Sequence, residues 1–273
     1  MLSDTRFASC TSDLDDADYV ILGVPYDGTS SFRPGSSEAP NSIRKASYCF
    51  EPYLSEYDIS LRDIAVHDHG DIPPIESELR VNLKNKMEEI CPDDKFPIIL
   101  GGEHSLSPMV VSVMGEMHSD LNVLILDAHL DFRDEYEGMK HSHATVSRRV
   151  SEIVGLHRTE VYGVRSKAKD YSDGEQPNIY TSLEDVLQNI KKPTYLSIDM
   201  DVVDPAHAPG VGNPEPFGLE PKDIKKLIST ASDLLVGMDI VEVCPKYDSS
   251  GITSNLAARF VYELLGARES RDV

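Results

Sequence analysis

Short apolar, β-branched runs alternate along the chain with stretches of helical spacing. Tyr19–Val24 reads YVILGV, Phe96–Leu100 runs into Gly101-Gly102, and Leu121–Leu126 reads LNVLIL. Glu160–Val164, Tyr195–Asp199 and Leu234–Val243 follow the same pattern. Such runs predict buried strands. Between them, helix spacing covers Leu79–Ile90, Leu106–Met117, His143–Val154, Ser182–Ile190, Lys222–Ala231 and Ile252–Leu265. Pro108 is tolerated in a first helical turn, and Ser182 suits an N-cap. Alternating strands and helices, with strands apolar on both sides, predict a parallel sheet covered on both faces. No repeat, low-complexity segment or linker interrupts the pattern, so residues 1–273 are read as a single α/β domain. The Pro- and Gly-rich stretch Asp204–Gly218 becomes a long loop inside it, and loops of that length are often functional.

In such folds ligands gather at the carboxyl ends of the strands. The polar clusters sit there. Glu103-His104 follows one strand, Asp127, His129 and Asp131 follow LNVLIL, Asp199 and Asp201 follow YLSI, and Glu242 falls late in the last long strand.

Composition narrows the partners. With 26 Lys and Arg against 47 Asp and Glu, the formal net charge is −21. That sign opposes binding to nucleic-acid backbones and to anionic membranes. It suits metal ions and cationic substrates, although most of these carboxylates are read as a solvated surface. No apolar run reaches transmembrane length, and the N-terminus is not a secretory signal. The four cysteines, Cys10, Cys49, Cys91 and Cys244, form no CxxC and are too sparse for a disulfide framework. A reducing cytoplasm is the expected location.

The clustered acids carry the chemistry. Asp127-Ala-His129-Leu-Asp131 spaces three potential ligands two residues apart. In an extended chain Asp127 and Asp131 would lie about 13 Å apart, too far to share one ion, so the chain must curl after the strand. Asp199-Met-Asp201 repeats the spacing, and His104 adds an imidazole. No basic residue inside DAHLD or DMDVVD neutralises these acids locally. Oxygen ligands with some imidazole and no thiolate favour manganese or magnesium over structural zinc, and two imidazoles favour manganese. Four aspartates balance two divalent ions. A metal-bridging hydroxide would then leave the centre at about −1, suited to a cationic substrate.

GGEHS (Gly101–Ser105), DAHLD (Asp127–Asp131) and SIDMDVVDPAHAPG (Ser197–Gly210) resemble the three signatures of the ureohydrolase family, the arginases, agmatinases and their relatives. GVPYDGTSSFRPGSSEAPNSIR (Gly23–Arg44) and DIVEVCPKYD (Asp239–Asp248) are further matches in family order. The arrangement is most similar to that of microbial agmatinases. The resemblance implies a three-layer α/β/α domain around a mostly parallel eight-stranded sheet, two Mn2+ per subunit, and a homotrimer or homohexamer. It assigns His104, Asp127, Asp131 and Asp199 to one ion. Asp127, His129, Asp199 and Asp201 go to the other. His143 matches the mobile acid/base histidine, with His141 its competitor, and Glu242 matches the carboxylate that holds the guanidinium. Glu103 stands where Asp is frequent. His207 replaces a frequent aromatic and is read as a loop histidine.

The implied reaction is hydrolysis of agmatine to putrescine and urea. Asp131 would take the proton of the attacking hydroxide, and His143 would return one to the departing amine. Val241 and Val243 flank Glu242, so strand alternation would turn it toward a polar cleft, with Cys244 a packed thiol on its face. Gly28–Gly35 lacks the glycine spacing of nucleotide fingerprints and is read as a loop edging the site or a subunit contact. Arginine, guanidinobutyrate and aminopropylagmatine remain alternative substrates. A same-fold, one-zinc deacetylase would not need Asp201 and His104 together. A non-catalytic acidic scaffold would not place ligands at successive strand ends. The acidic run after Asp131 bears on the choice of substrate. Asp134 and Glu135 are expected to draw the terminal ammonium of agmatine, with one of them pairing with Arg133.

Overall fold

The computed structural model describes residues 5–73, 79–90, 95–168 and 176–270; Cys91 lies outside them. YVILGV forms β1 (Tyr19–Val24), buried on both faces. Then come α1 (Ala39–Ser47), a short hairpin of β2 (Tyr53–Leu54) and β3 (Ile59–Ser60), β4 (Val66–Asp71) and α2 (Leu79–Ile90). β5 (Phe96–Gly101), α3 (Ser107–Met117), β6 (Asn122–Leu126), α4 (Val146–Val154), β7 (Thr159–Tyr162) and β8 (Asn178–Tyr180) follow. The chain ends with α5 (Leu183–Asn189), β9 (Thr194–Asp199), α6 (Pro221–Ala231), β10 (Leu235–Val241) and α7 (Ile252–Glu269).

Eight strands make one sheet in the order β4-β1-β5-β10-β9-β6-β7-β8. Every neighbouring pair in it is parallel. The layers follow from strand alternation. Tyr19, Ile21, Ile98, Leu100, Leu124, Leu126, Leu196 and Ile198 point to one face, where they pack with α1, α5, α6 and α7. Val20, Leu22, Ile99, Val123, Ile125 and Tyr195 point to the other, against α2, α3 and α4. The inner strands are largely apolar because both of their faces are covered.

Two strands of this sheet and one helix depart from the pattern-based reading. β4 reads VHDHGD and alternates buried with half-buried positions. It lies at the sheet's edge, as does β8, so neither needs a continuous apolar run. α1 begins APNSIRKAS, with a proline in its first turn and an amphipathic face closed by Ile43 and Ala46. β10 stops at Val241, one residue before Glu242.

The central strands β5, β10, β9 and β6 are neighbours, so their carboxyl ends open onto one region. A close crossing knits that region together. A Cβ at Gly102 would lie 1.9 Å from the Tyr26 carbonyl oxygen, so only glycine fits. There Glu103 N–H donates to the Tyr26 carbonyl and Glu242 N–H to the Gly102 carbonyl, both at 2.8 Å. The Asp204–Gly218 loop is ordered by Arg165, whose guanidinium donates to the carbonyls of Asp201, Val202, Glu215 and Pro216. The Asp204 carboxylate also accepts from the N–H groups of Ala206 and Gly218 at 2.9 Å.

Candidate active site

Each cluster predicted from the sequence arrives at the end of its strand. The chain turns after β5 to bring in His104, after β6 to bring in Asp127 and His129, and after β9 to bring in Asp201, while Asp199 ends β9 itself. Two groups of possible ligand atoms result: His104, Asp127 and Asp199, and Asp127, His129 and Asp201, each within 4.8 Å. His104 Nδ1 lies 3.2 Å from Asp127 Oδ2 and 3.1 Å from Asp199 Oδ2. His129 Nδ1 lies 3.6 Å from Asp127 Oδ1 and 2.8 Å from Asp201 Oδ2. Asp127 thus turns one oxygen toward each imidazole. Asp199 gives Oδ2 to the His104 group, while its Oδ1 accepts from the Asp201 N–H at 2.8 Å.

The residues fit metal ions on two grounds. The first is an orphaned atom. His104 is fully buried, and its Nδ1 has no hydrogen-bond partner, although two carboxylates approach it. Its Nε2 lies 3.0 Å from Ser197 Oγ, which donates to Asp239 Oδ1 at 2.6 Å, and Tyr195 O–H donates to Asp239 Oδ2 at 3.0 Å. That buried chain calls for a proton on Nε2 and leaves the Nδ1 lone pair aimed between the aspartates, as outer partners of metal-bound histidines do. The second ground is charge. Burial and the negative charges of Asp201 and Asp127 raise the Asp199 carboxyl well above the usual range. Burial and Asp127 do the same to Asp131. Burial alone would also raise Asp127, but the neighbouring imidazoles of His104 and His129 outweigh it and hold this carboxyl low. Burial opposes charge on His104 and His129 too, and contacts with the aspartates override it and push both imidazoles up. The cluster holds more negative charge than its imidazoles can balance, which two divalent cations would correct.

Asp131, His143 and Glu242 line the cleft beside these groups. Asp131 belongs to neither close group. It has φ 46°, and Glu242 has φ 64°, both left-handed and rare for these residue types. The first is the curl that the DAHLD spacing demanded. The second corrects the strand-alternation argument: Glu242 reaches the cleft because the backbone turns just past β10. Its Oε1 accepts the His104 N–H at 2.7 Å. Burial and the nearby Glu103 charge, partly opposed by that hydrogen bond, raise its carboxyl to about 8. His143 opens a one-turn helix behind a capping box made by Ser142 and Thr145. Burial lowers its imidazole below the ordinary value, and Tyr136 packs against it at 5.5 Å between ring centroids. His141 is exposed and does not line the cleft.

The acidic run does not behave as expected. Asp134 is exposed, bonds to Arg149 Nη2 at 3.0 Å and faces Arg148 Nε at 3.5 Å. Glu135 is exposed, and neither residue lines the cleft. Arg133 does line it, with its guanidinium 5.5 Å from the Tyr136 ring centroid. Asp134 is thus tied to Arg148 and Arg149 of α4. The remaining wall includes Ser30, Ser31, Phe32, Arg33, Lys167 and Asn213, none of which the motifs singled out by role. The Gly28–Gly35 loop therefore edges the site. Asn213 reaches His129 Nε2 at 3.0 Å from the ordered 204–218 loop. His207 is half-buried, 3.4 Å from Glu220, as befits a loop histidine. Cys244 is buried against the carbonyls of Arg33 and Pro34.

A model of the arginase family matches residues 17–266. Agmatinase of Bacillus subtilis (strain 168) is 35% identical over 95% of this chain and 94% of its own. N(1)-aminopropylagmatine ureohydrolase of Thermococcus kodakarensis is 31% identical over 92% and 91%. The crystal structure of the agmatine ureohydrolase of Thermoplasma volcanium superposes with a TM-score of 0.93 at 35% identity, over 100% of this chain and 97% of that one.

Proposed function

The chain belongs to the arginase family, and within it we propose that this enzyme hydrolyses the guanidinium of agmatine to urea and putrescine with two Mn2+ per subunit. The observation that carries the reading is Asp127, which turns one oxygen to each of two imidazoles. His104, Asp127, Asp131 and Asp199 would hold one ion, and Asp127, His129, Asp199 and Asp201 the other. When bound, the pair supplies an activated water at neutral pH. The chain's own residues do the rest. Glu242, tied through Oε1 to the His104 N–H, offers Oε2 to the guanidinium as a charge-assisted acceptor. A carboxyl raised to about 8 gains most from a cation, whose approach favours its ionised form. Asp131 takes a proton at its carboxylate and passes it to the leaving nitrogen. His143 delivers a second proton to the amine. Agmatine as substrate is supported by the relatives that carry the name agmatinase. A homotrimer or homohexamer is the assembly proposed with it, to be read by analytical ultracentrifugation.

One observation favours a second reading. Apart from Glu242, Asp131, Asp199 and Asp201, the described residues lining the cleft include no carboxylate, whereas Arg33, Arg133 and Lys167 line it. Such a wall suits a guanidino compound ending in a carboxylate. Side-by-side urea release from agmatine, aminopropylagmatine, guanidinobutyrate and arginine, with Mn2+ restored to stripped protein, decides between them. The agmatine reading expects kcat/KM for agmatine to exceed that for guanidinobutyrate by at least about tenfold, roughly 1.4 kcal/mol. The reverse order would establish the second reading. No urea from any of them would sink both.

A further inference from the structure

Glu103 is adjacent to the ligand His104 yet belongs to neither metal group. It is completely buried, and no Lys or Arg pairs with it among the described residues. Its carboxylate is used only as an acceptor. Thr29 N–H donates to Oε2 at 2.6 Å and Thr29 O–H to Oε1 at 2.7 Å, while Ser105 O–H also donates to Oε1. A buried carboxylate without a cationic partner is costly to keep. Its position behind Thr29 suggests what keeps it.

Thr29 Oγ1 is the junction. A hydroxyl has one proton to give and two lone pairs to offer. Glu103 can only accept, so it claims the proton. The two lone pairs then face His143, whose backbone N–H donates at 3.0 Å and whose ring Nδ1 lies 3.2 Å away. Thr29 has no second proton for that nitrogen, so Nδ1 must be the donor. Ser142 Oγ also approaches Nδ1, but at 3.4 Å it is the longer contact. On the far side of the ring, Nε2 lies 3.3 Å from Ser31 Oγ at the cleft wall.

Resting on the proton-delivery role given to His143 above, we propose that Glu103 and Thr29 are positioning residues that hold His143 in its Nδ1–H tautomer, so that Nε2 is the nitrogen that carries the proton to the amine. Nε2 takes a proton from solvent. It hands that proton to the departing amine, the N–H electron pair remaining on Nε2 as the new N–H bond forms. Nδ1–H stays bonded to Thr29 throughout, and the imidazolium formed in between is stabilised through Thr29 by the Glu103 carboxylate. Neither residue touches substrate.

The tautomer is read directly by two-dimensional 1H–15N correlation of ring nitrogens in histidine-labelled, Mg2+-loaded protein. His143 should show a protonated Nδ1 and an unprotonated Nε2. Thr29→Val, which keeps the shape and removes the junction, should mix the tautomers. It should also lower kcat between about 10- and 100-fold, part of what general acid–base catalysis is worth, with KM and bound metal unchanged. Thr29→Ser should restore the parental spectrum and most of kcat. Glu103→Gln, whose amide can donate to Thr29 and free its hydroxyl proton for Nδ1, should shift the population toward Nε2–H. A parental Nε2–H spectrum overturns the proposal, as does a Thr29→Val variant with parental tautomer or kcat. His143→Ala separates the two levels. A parental kcat there removes the proton-delivery role itself, whereas a crippled His143→Ala beside an unaffected Thr29→Val removes only the relay.

Discussion

Asp127 and Asp201 look alike in sequence, each an acid two residues from another ligand, but their surroundings differ. Asp127 faces both imidazoles, and Asp201 faces only His129. Asp127→Asn should therefore lose most of both ions and nearly all activity, whereas Asp201→Asn should keep close to one ion per chain, as counted by plasma emission after dialysis. Equal losses in both variants would refute the shared role of Asp127. Ser197 touches no metal position, yet it links the His104 ring to Asp239. Ser197→Ala should weaken metal binding about 10- to 100-fold, measured by competition with a chelator. Thiols offer a contrast at the same scale. Cys49 is exposed, whereas Cys244 is buried and its thiol is pushed up to about 11 by burial and by the charges of Asp27 and Glu242. Only a thiolate alkylates readily. Iodoacetamide at pH 8 should modify Cys49 and spare Cys244, as read by peptide mass spectrometry; rapid loss of the Cys244 peptide would contradict its packing. The candidate ligand clusters were legible from the chain because acids and imidazoles fall together there without cations beside them in sequence. The left-handed turns at Asp131 and Glu242 were not, since neither residue type announces a positive φ. Ser197, Asp239 and Thr29 were hidden for a different reason. Their roles depend on contacts between strands and loops far apart in sequence.

At the scale of elements, the fully covered strands β1, β5, β6 and β9 were readable because burial on both faces demands largely apolar runs. β4 was not, because it spends its polar residues on a second task. Arg44 of α1 is fully buried and donates to both oxygens of Asp68 at 2.8 and 2.9 Å, to the Gly70 carbonyl at 3.1 Å, and to Asp71. Asp68 also accepts the Phe7 N–H at 2.6 Å, so one guanidinium ties α1, β4 and the N-terminal segment together. A sequence pattern finds mostly His, Asp and Gly here and no apolar run. Breaking such a pair leaves a buried charge without its partner, at a cost of about 3–5 kcal/mol. Arg44→Met should lower stability to urea by that amount. The exposed pair Lys84–Glu116, which links α2 and α3 at 2.9 Å, should lose far less in Lys84→Ala, because solvent screens it. Similar losses in both variants would mean that burial does not set the worth of the Arg44 network.

Across the whole molecule, charge acts in two opposing directions. The chain carries a formal −21, and two divalent cations would remove only four of those charges. The far field thus draws in a dication such as agmatine and is indifferent to a zwitterion of zero net charge such as guanidinobutyrate. At the cleft three cations, Arg33, Arg133 and Lys167, stand on the wall beside the acids of the site. Salt separates the two scales. The screening length falls from about 30 Å at 10 mM to about 10 Å at 100 mM, so the distributed acidic surface is silenced first, while contacts within the cleft survive. If the far field dominates, kcat/KM for agmatine should fall about three- to tenfold between 10 and 300 mM salt. That for guanidinobutyrate should change by less than about twofold. This holds whether capture or equilibrium binding limits the rate, because the potential at the cleft biases both. Steady-state urea release at constant free Mn2+ measures it. A kcat/KM for agmatine that rises with salt would mean that the three cations at the wall, rather than the acidic surface, govern what enters. Lys167→Ala should then raise agmatine turnover at low salt and leave it unchanged at high salt.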